Sequence, residues 1–407
     1  MDRMSAALAA RRMRRIHRLA ARLQYEALPP GRRWPTRLKL PARLLRDALR
    51  QLRRHGTEAA ALSGRSRPLQ LLDMLRFGLV DGMRPACYHR FRLFDPAEAA
   101  RRRLYVEHEE VGVLLPWVFG RLGPDSAVPI PQSPGFGRHR VLDEKRRFAA
   151  HCRAHGLPTV ESLIELAPGD TAIGPGMIPL GRDLFLKYSD IGAGFGGLLL
   201  LWTGEGDFAE PGGRRWSAAE VAAEMRRRAV GHGVLLQPRL VSHPTIAGIS
   251  GTALSTLRPV TVRRPDGGIE LLMACIRLST GRGSIDGFTA GGLAAPIDLA
   301  TGVLGPASRR EGLAEVERHP DTGNPIAGTR LPFWPEVARL ALAAHASFPG
   351  LPTAGWDLAV LPDGPVFTEG NSCWGVEIMQ IAHRRPLGAT LFPACFAAWA
   401  GPAAGIV

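Results

Sequence analysis

Residues Trp356–Gly375 read WDLAVLPDGPVFTEGNSCWG. An apolar, strand-like run is broken by Pro362-Asp363-Gly364, and three polar side chains stand in it: Asp357, Glu369 and Asn371. WDLAVL and VFTE have the composition of short strands. Pro-Asp-Gly suits the link between them, because proline presets the first turn dihedral and glycine takes the left-handed one. A three-residue loop sets Leu361 opposite Pro365 and, counting back, Asp357 opposite Glu369. Asn371, two residues on, projects from the same face. Facing carboxylates destabilise a bare sheet, whereas a hard divalent cation held by two carboxylates and an amide turns that repulsion into binding. A two-residue loop puts the acids on opposite faces, so the metal reading depends on the turn. The plainer alternative is a surface hairpin with solvated acids.

The rest of the chain supplies the context. Its 407 residues suffice for two or three domains, and 45% apolar with 22% charged residues is ordinary globular composition. No run of 18 uncharged apolar residues occurs, so no transmembrane helix is expected. Cys87, Cys152, Cys275, Cys373 and Cys395 form no C-x-x-C pair, which points to a reducing, cytoplasmic setting without structural zinc. The net charge of +15 is local: residues 1–67 hold 18 basic and 4 acidic side chains, and the remainder 34 and 33. The body is neutral, and no nucleic-acid partner is expected. Arginine carries nearly all the positive charge. Lys39, Lys145 and Lys187 are the only lysines, and a retained lysine marks a place for a compact ammonium rather than a planar fork.

Along the chain, residues 1–67 read as a basic helical extension. Met13, Ile16, Ala20 and Leu23 are at helical spacing, and a second helix from Pro41 carries Leu44, Leu45, Ala48, Leu49 and Leu52 on one face. Basic amphipathic helices suit an anionic membrane surface or an acidic partner, or they clamp onto the body with their arginines in water. The segment lacks a signal peptide's apolar core; being Arg-rich and acid-poor, it is like a mitochondrial presequence. Residues 68–140 read as mixed and mostly helical. From 141 to 235 the order is helix, turn at Gly156–Pro158, strand, then strand, glycine loop, strand, and a helix N-capped by Ser217. From 236 to 407, strands alternate with turns, and a helix over 333–347 precedes the hairpin.

Lys187 ends a strand and runs into SDIGAGFGG, where Gly192, Gly194, Gly196 and Gly197 let backbone N–H groups approach a polyphosphate. The loop is neither a Walker A loop nor a Rossmann fingerprint, since the lysine precedes the glycines and a strand follows them. A plain flexible hairpin is the alternative. Arg258 and Arg277 lie inside apolar strands, where a charge is paired with an acid or faces a ligand. No GxSxG motif or activated cysteine is present.

A lysine before a helix ending in GLPT, a strand lysine before a glycine loop, LLQPRL, and a late Asp…Glu-x-Asn together resemble the ATP-grasp fold. LLQPRLVSHP, STLRPVTV, IDGFTAGG, IDLATG, HPDTGNPIAG and GWDLAVLPDGPVFTEGN are similar to the sugar-transfer-associated ATP-grasp family, whose genes tend to lie near polysaccharide-assembly genes. The resemblance spans about 140–385, with a faint extension through FGLVDGMRPACYHRFRLFD toward residue 77. It implies an α+β fold of two subdomains gripping ATP, with the basic helical extension outside it. It further implies that Lys145 and Lys187 hold ATP phosphates under the Gly192–Gly197 loop. In the hinge containing Gln237, Pro238 offers its carbonyl and Leu240 its N–H to adenine. Arg258 or Arg277 steadies the γ-phosphate or an acyl-phosphate, and Asp357, Glu369 and Asn371 bind Mg²⁺. Gly287 departs from the family's usual asparagine beside Asp286, leaving the acceptor end less defined.

The expected activity is an ATP- and Mg²⁺-dependent ligase joining a carboxylate to an amine or other nucleophile through an acyl-phosphate. Its substrate would be a small-molecule, glycan, lipid or peptide precursor of the cell surface. The rival expectations are a phosphotransferase on the same site and a scaffold working through the basic helices. The expected location is cytoplasmic, peripheral on the inner face of the membrane.

Overall fold

The computed structural model of the chain describes residues 3–29, 39–122, 127–130, 133–139, 141–191, 196–281, 287–288, 291–311 and 313–406. Gly192, Gly194 and Asp286 therefore lie outside the described residues.

Among the described residues, six α-helices come first: α1 (Arg3–Glu26), α2 (Leu40–Ser63), α3 (Arg67–Asp81), α4 (Pro85–Arg90), α5 (Pro96–Arg101) and α6 (His108–Phe119). The spacing of Met13, Ile16, Ala20 and Leu23 is that of one helix face, and all four are buried. That face lies against α6 and the C-terminal helix Phe392–Ala400. The apolar stripe of α1 is thus used up inside the protein. α2 buries Leu44, Ala48 and Leu52 as its periodicity predicts but leaves Leu45 exposed. Its buried stripe is narrower than the sequence implies, and α3 and α4 pack against it. Gly78 makes the α2–α3 approach possible: a Cβ there would stand 2.3 Å from Leu44 Cδ1.

One polar contact fastens α1 to α6. His17 Nδ1 lies 2.6 Å from Glu110 Oε1, and its Nε2 lies 2.9 Å from the Arg103 carbonyl. Burial lowers the imidazole's affinity for protons, but Glu110 and the carbonyl outweigh it and raise the pKa to about 9. A raised histidine contributes stability that is complete below about pH 6.5 and disappears as the pH passes about 9. The thermal midpoint is therefore expected to fall between pH 7 and 10 in the wild type. It should fall distinctly less in His17→Gln, and equal slopes would exclude this contact as the cause.

A short hairpin, β1 (Ala127–Ile130) and β2 (Ser133–His139), precedes α7 (Lys145–Ala154). β3 (Ile164–Leu166), β4 (Leu184–Tyr188), β5 (Leu198–Trp202), β6 (Asp207–Ala209), β7 (Arg215–Ser217) and β8 (Val234–Pro238) form a six-stranded antiparallel sheet ordered β3-β8-β4-β5-β6-β7. α8 (Ala218–Ala229) starts at Ser217, whose side chain and that of Glu220 form a reciprocal capping box. Leu184, Leu186, Leu200, Val221, Met225 and Leu236 give this sheet and helix a small core of their own.

After α9 (Pro244–Ser250), the strands β9 (Thr256–Arg263), β10 (Ile269–Leu278), β11 (Leu293–Pro296), β12 (Ala307–Ser308), β13 (Glu315–Val316), β14 (Thr353–Leu361) and β15 (Gly364–Asn371) make the second sheet, ordered β13-β12-β11-β10-β9-β14-β15. The helices α10 (Trp334–Ala346), α11 (Val376–His383) and α12 (Phe392–Ala400) complete it. β9 and β14 are internal and almost wholly buried, which is why β14 shows no polar alternation and why the polar residues of β9 need partners inside the protein. α1, α6 and α7 share the core of this larger unit. No helix among the described residues is long and apolar enough to cross a membrane.

The hairpin corrects one expectation. Leu361 pairs with Gly364, so the connection is the two residues Pro362-Asp363. With a regular ladder that register would set Asp357 opposite Thr368. A β-bulge between Leu358↔Phe367 and Asp357↔Glu369 takes up one extra residue and brings the two acids face to face. The Thr368 hydroxyl donates to the Asp357 carbonyl at 3.1 Å, fixing the bulge.

Candidate functional site

Asp357 is fully buried at the centre of the site. Arg258 on β9 grips it with two bonds, Nε to Oδ1 at 2.6 Å and Nη2 to Oδ2 at 2.5 Å. Arg277 on β10 adds Nη2 to Oδ2 at 2.9 Å and braces itself on the Thr256 hydroxyl. These residues come together because β10, β9 and β14 are sheet neighbours. Burial alone would raise the Asp357 carboxyl; the two guanidiniums outweigh it and hold it well below the usual carboxylate range. Both strand arginines thus pair with an acid, the first of the two readings open to a charge inside an apolar strand.

Glu369, opposite Asp357, lies 3.1 Å from the Lys145 ammonium, which also donates to the Ile191 carbonyl at 2.8 Å. Lys145 opens α7, and the Glu144 side chain caps that helix by accepting from the N–H groups of Arg146 and Arg147. Asp143 ties the hairpin's far end to the same helix start. Its carboxylate accepts from the Ser372 hydroxyl at 2.5 Å and the Ser372 N–H at 3.1 Å. Lys187 reaches the site from the other sheet. On β4, Leu184 and Leu186 enter the small core, so Phe185 and Lys187 occupy the opposite face, level with Gln237 and Leu235 of β8. Burial first, and then the nearby Lys145 charge, lower the Lys187 ammonium to about 8, while Glu369 and Asp357 partly restore it.

The charges do not balance. Among the described residues at the centre of the site, two carboxylates, Asp357 and Glu369, face four cations, Arg258, Arg277, Lys145 and Lys187. The like-charge repulsion that motivated a metal is already relieved by side chains, and a positive excess remains. Such a site attracts a polyanion before it attracts a free cation. Asn371, paired with Gly355, lies on the face of Glu369, and its Nδ2 is buried without a hydrogen-bond partner. Amide orientation follows from the surrounding network, so this buried end of Asn371 can equally present its oxygen. Glu369 and Asn371 thus fit a Mg²⁺ that arrives with phosphates, the usual manner for an ion that keeps few protein ligands.

Two further elements frame the cluster. In the described part of the glycine segment, Gly196 has φ +71, and a Cβ there would stand 2.6 Å from the Tyr188 ring. The Gly196 carbonyl accepts from the Arg228 guanidinium, which lies 5.2 Å from the centre of the same ring. Gly197 follows and leads into β5. Gln237 is buried and donates to the Ser162 hydroxyl at 3.2 Å. Pro238 pairs with Leu184, and the next ladder bond runs from the Arg239 N–H to the Asp183 carbonyl at 3.0 Å. In that pattern the nitrogen and carbonyl of Pro238 point away from β4, so the missing N–H costs nothing. Leu240 continues the segment, half-buried.

The family described as sugar-transfer associated ATP-grasp matches residues 138–392, more than half of the chain. The chain belongs to the sugar-transfer-associated ATP-grasp family. The match begins beyond Phe77–Asp95, so the faint extension toward residue 77 falls outside it. No curated protein matches the chain. Among solved structures, it is similar to D-alanine–D-alanine ligase from Bacillus anthracis complexed with ATP, at 12% identity and TM-score 0.34, covering 57% of this chain and 55% of that one. It is also similar to N5-carboxyaminoimidazole ribonucleotide synthetase complexed with ADP, at 11% identity and TM-score 0.34, covering 57% and 45%. The chain spans about half the length of these two structures.

The two α+β units lie within the matched residues, the helical N-terminal region lies outside them, and ATP-grasp enzymes depend on ATP. Lys145, Lys187, Arg258, Arg277, Asp357 and Glu369 converge. Gly196 and Gly197 border the strand that carries Lys187, while Gly192 and Gly194 fall outside the described residues. Gly287 is described without its neighbour Asp286. Arg228, the anchor of the glycine segment, was missed, although its signal was legible. With Val221, Ala222 and Met225 it lies on the buried stripe of α8, where an arginine needs a partner.

Proposed function

We propose that this ATP-grasp chain is a ligase that phosphorylates a carboxylate with ATP and passes the acyl group to an amine or another nucleophile. The observation that carries the reading is the buried positive excess between the two sheets, built from a lysine on each side and the paired arginines. Lys187 and Lys145 would take the ATP phosphates, with the Gly192–Gly197 segment over them. The segment Gln237–Leu240 would receive adenine, with the Pro238 carbonyl and the Leu240 N–H as its hydrogen-bonding groups. Mg²⁺, held by Glu369, Asn371 and Asp357, would neutralise charge on the transferring phosphoryl group. Arg277, with one bond to Asp357 against the two of Arg258, would swing its guanidinium to the acyl-phosphate while Arg258 holds Asp357 in place. No covalent nucleophile on the protein is required. The test is a mass spectrum of the reaction with ATP, Mg²⁺ and candidate carboxylates and amines. ADP, phosphate and a conjugate in equal amounts support the ligase, whereas ADP with a phosphorylated acceptor makes the protein a phosphotransferase.

The N-terminal helices support a second element of the proposal, peripheral attachment to an anionic membrane surface. Leu69, Leu72, Leu79 and Val80 of α3 fall within one arc of about 100° and are 43–63% exposed. Arg43, Arg46, Arg50, Arg53 and Arg54 stand exposed on the adjacent α2. Phosphate backbones would leave four aliphatic side chains in water; an anionic bilayer satisfies both the leucines and the arginines. Liposomes containing phosphatidylglycerol should sediment the protein, and phosphatidylcholine alone should not. Binding should weaken at 0.5 M salt and in Leu72→Glu/Leu79→Glu. Salt-insensitive binding, or dimerisation of the wild type abolished by the same double variant, would overturn it. Deletion of residues 1–67 is unsuitable as a test, since it would strip Met13, Ile16 and Ala20 from the core.

A further inference from the structure

A second cationic cavity lies away from the nucleotide site, at the other end of α11. Its volume is about 80 Å³, and Arg90, Arg92, Arg384, Tyr105, Asp95 and Glu98 are among the side chains around it. Three arginines converge there, and four of their nitrogens are buried without any hydrogen-bond partner: Nε of Arg90, Nε of Arg92, and Nε and Nη2 of Arg384. A buried guanidinium N–H left unpaired is costly, so the cluster calls for an acceptor.

The protein's own carboxylates do not supply it. Asp95 caps the Ala97 N–H, and Glu98 accepts from Tyr105 at 2.6 Å and from Arg101 at 3.0 Å. Glu377 takes Nη1 of Arg90, and Glu315 lies 3.2 Å from Nη1 of Arg384. Glu311 forms an ion pair with Arg90 Nε at 4.0 Å but no hydrogen bond, and its Oε2 is likewise buried without a hydrogen-bond partner. Arg92 has no carboxylate within ion-pair distance among the described residues. The backbone adds an independent sign. Only three non-glycine residues among those described have a left-handed φ, and two of them are Arg92 (54°) and Arg384 (47°). Such strain persists where the position of a side chain matters, as at ligand clamps. The wall is rigid: the Gln380 amide holds both the N–H and the carbonyl of Val106.

This cavity is separate from the phosphate end. A Cβ on Gly375, before α11, would stand 3.4 Å from Arg258 Nη1, whereas Arg384 lies nine residues further on, roughly 13 Å along the helix axis. We infer that it is a second anion site, which takes a small oxyanion such as phosphate or carboxylate, free or as the end group of a larger molecule.

The backbone strain provides a clean test. Arg92→Gly and Arg384→Gly each remove a guanidinium while relieving a left-handed dihedral, so both should fold with an unchanged or higher thermal midpoint. Inorganic phosphate, sulfate and acetate are titrated into the wild type and both variants, and the midpoint is followed. The expected result is a saturable rise of about 2 °C or more in the wild type with at least one anion, lost in both glycine variants. Phosphate against acetate distinguishes the two chemistries, and phenyl phosphate against inorganic phosphate distinguishes an end group from a free ion. No rise with any anion in the wild type, or a rise that persists in the glycine variants, would overturn the inference. So would a lowered midpoint in both variants without any anion response, which is the mark of purely structural arginines.

Discussion

Asp357→Ala is expected to lower folding stability by about 3–5 kcal/mol, because it leaves the Arg258 and Arg277 guanidiniums buried beside each other without a countercharge. Urea denaturation of the apo protein reads this directly. Asp357→Asn should recover little. Its amide keeps one acceptor oxygen but presents an N–H₂ donor to a guanidinium that is itself all donors. ATP turnover should be lost in both variants. The pH dependence has a definite sign. The Asp357 carboxyl is held below its unfolded value of about 3.9, so its contribution is complete above that pH and disappears as the pH falls through the lower folded value. The wild type should therefore lose stability below about pH 4 more steeply than Asp357→Asn. A loss under about 1 kcal/mol in Asp357→Ala would mean that solvent reaches the arginines and the charge balance at the centre of the site is misread.

Lys187→Met is expected to reduce kcat/KM for ATP by about 10²–10³-fold, the range for removing one preorganised donor from developing charge. Lys187→Arg is the sharper variant. It keeps the charge but replaces a compact ammonium with a wider planar fork, in a place shared with Lys145, and nucleotide affinity at pH 7 should still weaken. With the Lys187 ammonium at about 8, the wild-type affinity should decline between pH 7.5 and 9 as that proton is lost, and Lys187→Arg should be flat over the same range. Isothermal titration with a non-hydrolysable ATP analogue and Mg²⁺ measures both effects. Unchanged affinity in Lys187→Arg would remove this lysine from the phosphate site.

Much of the architecture was legible because local chemistry and tertiary placement agree. Ser217 and Glu220 announce the start of α8, and the Leu-Phe-Leu-Lys run announces β4 with its lysine on the face away from the core. The helix before the hairpin follows its apolar spacing, from Trp334 to Ala346. Asp357 and Glu369 do face each other, but not for the reason the turn offered. The loop is one residue shorter than Pro-Asp-Gly invites, and the bulge at Thr368 makes up the difference. A bulge depends on what the neighbouring edge demands. Here Phe367 bonds to Pro158 and Val160, some 200 positions away in the chain, and no local pattern carries that information.

By itself the sequence determined the two α+β units, the lysines and acids of the site, and the concentration of positive charge in the first 67 residues. These follow from periodicity, residue type and spacing, which act over a few residues. The tertiary structure alone decided how the charges are spent. It pairs Arg258 and Arg277 with Asp357, gives Lys145 to Glu369, consumes the apolar stripe of α1 inside the core and leaves that of α3 in the open. It also gathers Arg90, Arg92 and Arg384 from opposite ends of the chain around one cavity. Electrostatic pairing depends on distance and burial, and both are set by contacts between residues 80 or more positions apart.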